Sequence, residues 1–302
     1  MDTFKNLDDI VFLSEINIAG THDSCTAFVS MENMARCQSL TVKEQLDMGI
    51  RLFDITLSKS GDEFYLVHAI ADCFTDESKK EKLTFSAVLS VFRQFLKDNP
   101  EEALIVSVKQ DRGIMSKKFF PAFYEKYIRG NESEWWLENS DPAIGQIRGK
   151  MVLMRRCKVK KNYTQKTASG LDFSCWPDQK GKSKKPKEVI VSRSQSRNSE
   201  HELVAVVQDR YTLAPEVKWH ECAKPFLDVC LTGYGMYALH YISTSYRKKG
   251  DTLAETAEEM NGYFMKYELS DFSAQGWFFL DFPTKELCDK IIKPNSEIHK
   301  GI

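Results

Sequence analysis

No stretch of this sequence runs to 18 consecutive apolar residues, so none of it reads as a membrane-spanning helix. Charge of one sign is also missing: 42 Lys and Arg stand against 43 Asp and Glu. That balance excludes a general nucleic-acid binder, whose affinity comes from neutralising phosphates. Cysteine is present but unorganised. None of the eight forms a C-x-x-C pair, and no histidine sits at zinc-finger spacing, so free thiols in a reducing compartment are expected rather than a disulfide framework. Cys25 reads as a small buried filler rather than a nucleophile. No internal repeat is present, and the opening residues Met1-Asp2-Thr3-Phe4-Lys5-Asn6-Leu7-Asp8-Asp9 lack the charged-then-apolar pattern of a secretory leader.

What is there is a core. Hydrophobic residues make up 42% and aromatics 12% of 302 residues, a length at which an α/β barrel folds as one domain. Strand and helix patterns alternate to the end. A lead-in and first strand are expected over Ile10–Ala19, and strands over Ile50–Thr56, Phe64–Ala69, Ala103–Gln110, Met151–Arg156, Phe173–Trp176, Glu202–Tyr211, Ala238–Ile242 and Gly276–Pro283. Helices are expected over 40–49, 84–99, 117–129, 214–230, 252–267 and onward from Thr284. Thr41 and Glu44 form a capping box and Gly49 a stop. Residues 179–201, with Lys180, Lys182, Lys184, Lys185 and Lys187, break the rhythm. They read as a solvated loop, or as a basic patch for anionic headgroups. The fold class expected is a single distorted parallel (β/α) barrel spanning 1–302.

In a parallel barrel, the C-terminal strand tips converge on one mouth, where chemistry is placed. The tips here carry His22 and Asp23, Asp54, His68, Lys109, Arg156, Asp209 and Asp281. Histidines with carboxylates beside them suit acid–base work, and the cations suit an anionic substrate. Each residue alone has a blander reading: Thr21, Asp23 and Ser24, for example, are good helix N-caps. On the strand Ile50–Thr56, period two puts Leu52, Asp54 and Thr56 on one face and Arg51, Phe53 and Ile55 on the other. An Asp between such apolar neighbours needs a partner.

The ordered segments Ile18-Ala19-Gly20-Thr21-His22-Asp23-Ser24, Gly49-Ile50-Arg51-Leu52-Phe53-Asp54-Ile55, Leu66-Val67-His68, Arg148-Gly149-Lys150-Met151-Val152-Leu153, Trp176-Pro177-Asp178, Gln208-Asp209-Arg210-Tyr211 and Gly276-Trp277…Asp281 resemble the bacterial phosphatidylinositol-specific phospholipase C family, from about residue 8 to residue 295. The resemblance implies a distorted parallel barrel and cleavage of phosphatidylinositol, or of a glycosyl-phosphatidylinositol, by attack of the inositol 2-hydroxyl on phosphorus. The products are diacylglycerol and a cyclic inositol phosphate. It implies His22 as general base oriented by Asp281, and His68, paired with Asp23, as general acid. Asp54 completes the catalytic set, and Lys109, Arg156, Asp209, Tyr211 and Trp176 form the inositol site. A peripheral membrane contact, a monomer and no nucleic-acid partner are expected. The missing leader favours the cytoplasm, whereas the family is often secreted.

One position departs. The family's metal-independent members carry an arginine two residues after the strand aspartate, against the phosphate; here that residue is Thr56. Calcium-dependent relatives instead put acidic residues on this strand and Asn after the first His, which is not met either. Removing a cation from a phosphoryl transition state costs on the order of a few kcal/mol. Arg51 points the wrong way to replace it. Three outcomes follow: a cation from elsewhere, with Arg112 and Arg155 as candidates; a Ca²⁺ or Mg²⁺ held near Asp23 and Asp54, where otherwise no cofactor is expected; or a weak or inactive phosphodiesterase that only binds inositol phospholipid. A metal-dependent phosphodiesterase of the same barrel class is the remaining alternative, and Thr56 weakens it.

Overall fold

The computed structural model describes residues 2–113, 115–180, 185–196, 199–230, 232–248 and 250–299. Its strands are β1 (Ile18–Thr21), β2 (Leu52–Ser60), β3 (Glu63–His68), β4 (Ala71–Asp72), β5 (Leu104–Gln110), β6 (Trp135–Trp136), β7 (Met151–Arg155), β8 (Leu171–Asp172), β9 (Lys187–Ser196), β10 (Ser199–Gln208), β11 (Met236–Tyr241) and β12 (Trp277–Leu280). They hydrogen-bond in the order β6-β7-β5-β2-β1-β12-β11-β10-β9, with β8 beside β7 and the β3–β4 pair hanging from β2. The path is parallel from β6 to β10. The sheet curls into a distorted barrel of the TIM type, as expected.

Two apolar layers hold it. Leu52, Ile105, Val152, Leu239, Trp277 and Phe279 point inward and pack together with Val207 and Tyr241. The alternate residues Phe53, Val106, Leu153 and Phe278 point outward, against helices 85–98, 119–127, 253–266 and 285–292. Both strand faces are therefore buried, which is why these segments read as near-continuous apolar runs. The helices have the expected stops. Thr41 Oγ1 accepts from Glu44 N, Glu44 closes the box, and Gly49 takes φ 113° as the C-cap. Arg51 faces outward. Its Nε donates to Glu102 at 2.6 Å in a buried pair, and the guanidinium lies over Phe95. Glu102 also accepts from the backbone of Phe4 and Lys5, which ties the N-terminal segment to the barrel.

Three expectations need correction. Residues 187–196 are a strand antiparallel to β10, not a loop. A sheet-edge strand tolerates Lys and Ser, because only one neighbour constrains it. Lys182 and Lys184 lie outside the described residues. The short strand near Trp176 sits earlier, at Leu171–Asp172, because Phe173-Ser174-Cys175 turns back on itself through Trp176 N to Phe173 O. Finally, β3 is antiparallel to β2, so His68 does not end a barrel strand. β2 overshoots the mouth, and β3 brings His68 back down to it. Trp135 and Trp136 are buried in β6.

Candidate active site

The turn after β1 is built by small side chains. Gly20 is required: a Cβ there would lie 2.7 Å from the Leu52 side chain across the β1–β2 pair. Thr21 Oγ1 donates to Gln45 Oε1, and Ser24 Oγ accepts from Asp54 N, each at 2.8 Å. Thr21, Asp23 and Ser24 thus join strands to a turn; no helix starts there, so the capping reading is not what they do. Gln38 donates to both His22 O and Leu280 O, at 2.7 and 2.9 Å, and so clamps the tips of β1 and β12 together. Asp23, Ala69 and Phe282 have φ of 40°, 50° and 45°. The backbone is strained at one site residue and just after two others, His68 and Asp281. Such strain persists only where the surroundings impose it.

The side chains converge. His22 Nδ1 lies 3.0 Å from Asp281 Oδ1, and His22 Nε2 lies 3.1 Å from Asp23 Oδ2. His68 Nε2 lies 3.2 Å from that same Asp23 oxygen, while its Nδ1 faces Ala35 O at 2.8 Å. The two rings are 6.1 Å apart and nearly perpendicular. Asp23 Oδ1 accepts from Thr56 Oγ1 at 2.8 Å. Asp54 has the partner its burial demands: Arg156 Nη1 at 3.0 Å, with Ser107 Oγ at 3.2 Å. Arg156 also donates to Tyr241 OH at 3.1 Å, and lies 3.8 Å from the Trp176 ring centre. Trp176 Nε1 donates to Asp209 Oδ2 at 3.2 Å, and Tyr211 OH to Asp178 at 3.2 Å.

The electrostatics follow from this geometry. Burial disfavours the charged forms of His22 and Asp23, but mutual attraction outweighs it. Asp23 and Asp281 raise the His22 pKa well above the ordinary imidazole value. Asp23 raises that of His68 to about 10, against a smaller burial effect. The Asp23 carboxyl is held far below the usual carboxylate range by His68, His22 and Lys109 in turn, with Thr56 helping. Arg156 stays charged despite burial, because Tyr241, Asp54, Asp209 and Asp23 surround it. His240, by contrast, is buried against Gln275 O and pushed down to about 4, as befits a neutral core histidine.

All ten sequence-derived site residues, namely His22, Asp23, Asp54, His68, Lys109, Arg156, Trp176, Asp209, Tyr211 and Asp281, line one open cleft of about 630 Å³. Sequence reasoning missed Cys37, whose Sγ lies 3.8 Å from His68 Nδ1, and Tyr241, which packs against both His22 and Trp176. Cys37 sits in a loop with no periodic signal. Tyr241 could have been found, since it is the inward residue at a strand tip.

Two proposed substitutes for the absent arginine do not reach the cleft. Arg155 points outward, buried over Phe120 and paired with Asp172. Arg112 binds Asp72 and Ala69 O. The divalent-metal alternative does not fit either. Asp54 Oδ1 is held by Arg156 and Ser107, and both oxygens of Asp23 are engaged. Among the described residues, the one cluster with ligand spacing is His22, Asp23 and Cys37. A single carboxylate with an imidazole and a thiol is not the oxygen set Ca²⁺ or Mg²⁺ prefers.

The fold and cleft define a class: a parallel α/β barrel with two imidazoles, an intervening carboxylate and an aromatic-backed polar recess at its mouth. Residues 12–130 match the family model PI-PLC X 1. A 1-phosphatidylinositol phosphodiesterase of Staphylococcus aureus is 29% identical over 56% of this chain and 56% of its own length, so the matched segment spans about half of that relative. One from Listeria monocytogenes is 25% identical over 96% of this chain and 83% of its own. The fold is shared with a solved phosphatidylinositol-specific phospholipase C from Staphylococcus aureus, with TM-score 0.77 and 21% identity over 99% of this chain and 97% of that one. The corresponding Listeria monocytogenes enzyme gives TM-score 0.67 at 20% identity, covering 97% of each chain. The chain is similar to bacterial phosphatidylinositol-specific phospholipase C both in its X segment and in its fold.

Proposed function

We propose that the protein is a phosphodiesterase that cleaves phosphatidylinositol or a glycosylated form of it. The observation that carries this reading is the pair His22 and His68, whose rings lie 6.1 Å apart with Asp23 between them at a cleft mouth. Relatives named for phosphatidylinositol hydrolysis support the substrate class. His22, oriented by Asp281, takes the proton of the inositol 2-hydroxyl. The freed oxygen bonds to phosphorus while the bond to the glycerol oxygen breaks. His68 supplies the proton that oxygen needs, and diacylglycerol leaves a cyclic inositol phosphate behind. The attack is internal, so the cost of gathering a separate nucleophile is avoided. Asp209, Tyr211 and Arg156 offer donors and acceptors for ring hydroxyls, and the Trp176 face covers C–H groups. No step is routed through a metal.

The reading extends to a peripheral membrane contact. Met34 in the cleft lining and Ile70, next in sequence to the lining residue Ala69, are 56% and 74% exposed; with Arg247, also in the lining, they suit a surface with apolar and anionic parts. The reading takes the chain as one barrel domain that acts as a monomer.

The test is turnover of phosphatidylinositol vesicles with and without EDTA, followed by phosphorus NMR for the cyclic diester. Product that is insensitive to EDTA and lost in His22→Ala supports the reading; product no greater than that control, under any metal, removes it.

A further inference from the structure

Displacement at phosphorus loads negative charge onto the non-bridging oxygens, and a site without a cation aimed at them forfeits much of its rate. Among the described residues, the Lys and Arg side chains that line the cleft are Lys109, Arg156 and Arg247. Arg156 is committed to Asp54 and Tyr241 beneath the Trp176 face. Arg247 is tethered at the rim by Asn33 O. Lys109 is different. It stands on β5 directly across from Thr56 on β2, and Ser107, two residues earlier on the same face, reaches inward to Asp54. Its ammonium is 3.3 Å from Asp111 at the outer edge of the cleft, with the side chain 36% exposed. Thr56 is short and spends its hydroxyl on Asp23, which leaves the space above it to the neighbouring lysine.

We infer that Lys109 is the phosphate-binding cation of this site: its Nζ swings from Asp111 to a non-bridging oxygen of the phosphodiester, in place of a guanidinium from position 56. This rests on the phosphodiesterase reading above. It moves Lys109 from the sugar ring, where the resemblance put it, to the reacting phosphate. The local field agrees with the geometry, since Lys109 adds to His68 and His22 in holding down the Asp23 carboxyl. Lys109 forms no covalent bond and transfers no proton; it offsets charge while the 2-oxygen bonds to phosphorus and the glycerol oxygen departs.

The test uses phosphatidylinositol with one non-bridging oxygen replaced by sulfur, as its two phosphorus diastereomers. Wild type should prefer one diastereomer. Lys109→Met should lose about 10²–10³-fold in kcat on the natural substrate, together with that preference. Lys109→Arg should keep the preference, and Thr56→Arg in the Lys109→Met background should regain at least about tenfold in rate. Melting curves establish that each variant is folded, and Lys109→Gln stands in for any that is not. Diastereomer preference unchanged in Lys109→Met or Lys109→Gln, whatever the rate, overturns the inference and returns the residue to the ring. A wild type that turns over neither natural nor sulfur-substituted substrate overturns the phosphodiesterase reading and the inference with it.

Discussion

His22 Nδ1 meets Asp281 Oδ1 at 3.0 Å, although 259 positions separate them in the chain. The contact exists because β1 and β12 are parallel neighbours in register, Thr21 opposite Leu280, so the residue after each strand emerges at the same level. A carboxylate in this position both orients the ring and raises its affinity for a proton.

That affinity fixes a pH dependence. Raised above its ordinary value, His22 stays protonated past pH 6.5 and cannot accept a proton until the pH passes its folded value. His68 must be protonated, and it loses its proton near pH 10. The kcat/KM profile is expected to be a bell displaced to the alkaline side of free imidazole, its limbs belonging to the coupled pair. In Asp281→Asn one of the two raising charges is gone, the other being Asp23, so the acid limb should move to lower pH while the alkaline limb stays. An acid limb that does not move contradicts the coupling.

His22→Ala and His68→Ala should each lower turnover at least about a hundredfold, as loss of an acid–base group commonly does. Single-turnover rates on phosphatidylinositol vesicles measure this, and a near-normal rate in either variant counts against the roles assigned.

Stability should follow pH in the same direction. A histidine whose folded pKa is raised contributes stability in full below its unfolded value and loses it as pH climbs through the folded one. For His68 the loss falls between about pH 6.5 and 10. Urea midpoints of wild type should fall across that window more steeply than those of His68→Gln.

Remote from the cleft, Arg51 and Glu102 form a buried pair at 2.6 Å. Arg51→Met leaves Glu102 buried without its cation and should cost about 3–5 kcal/mol of unfolding free energy, read from denaturant melts. Thiol accessibility of Cys37 in the cleft should be unchanged below the transition. A loss of stability under 1 kcal/mol would show the pair to be dispensable.

How far the molecule could be read in advance varies by residue. The helix cap at Thr41 is local chemistry and stands where the sequence puts it, and Thr84 and Thr252 cap the helices expected to begin there. The direction of Arg155 is legible as well. The period-two argument that turned Arg51 away from the cleft also turns Arg155 away once Arg156 is taken as inward. Strand β9 was hidden because Lys and Ser on an edge strand look like loop. His68 was found for the wrong geometric reason, since its strand runs against the barrel.

By itself the sequence determined the barrel and most of the residues at its strand tips, because alternation, capping and strand polarity are written in neighbouring residues; that position 56 lacks a cation followed from the resemblance alone. Only the tertiary structure decided that both imidazoles share one oxygen of Asp23, that Arg156 belongs to Asp54, and that Lys109, of all the basic side chains, stands across from Thr56. Those relations depend on strand order and register, which bring together groups that no local pattern connects.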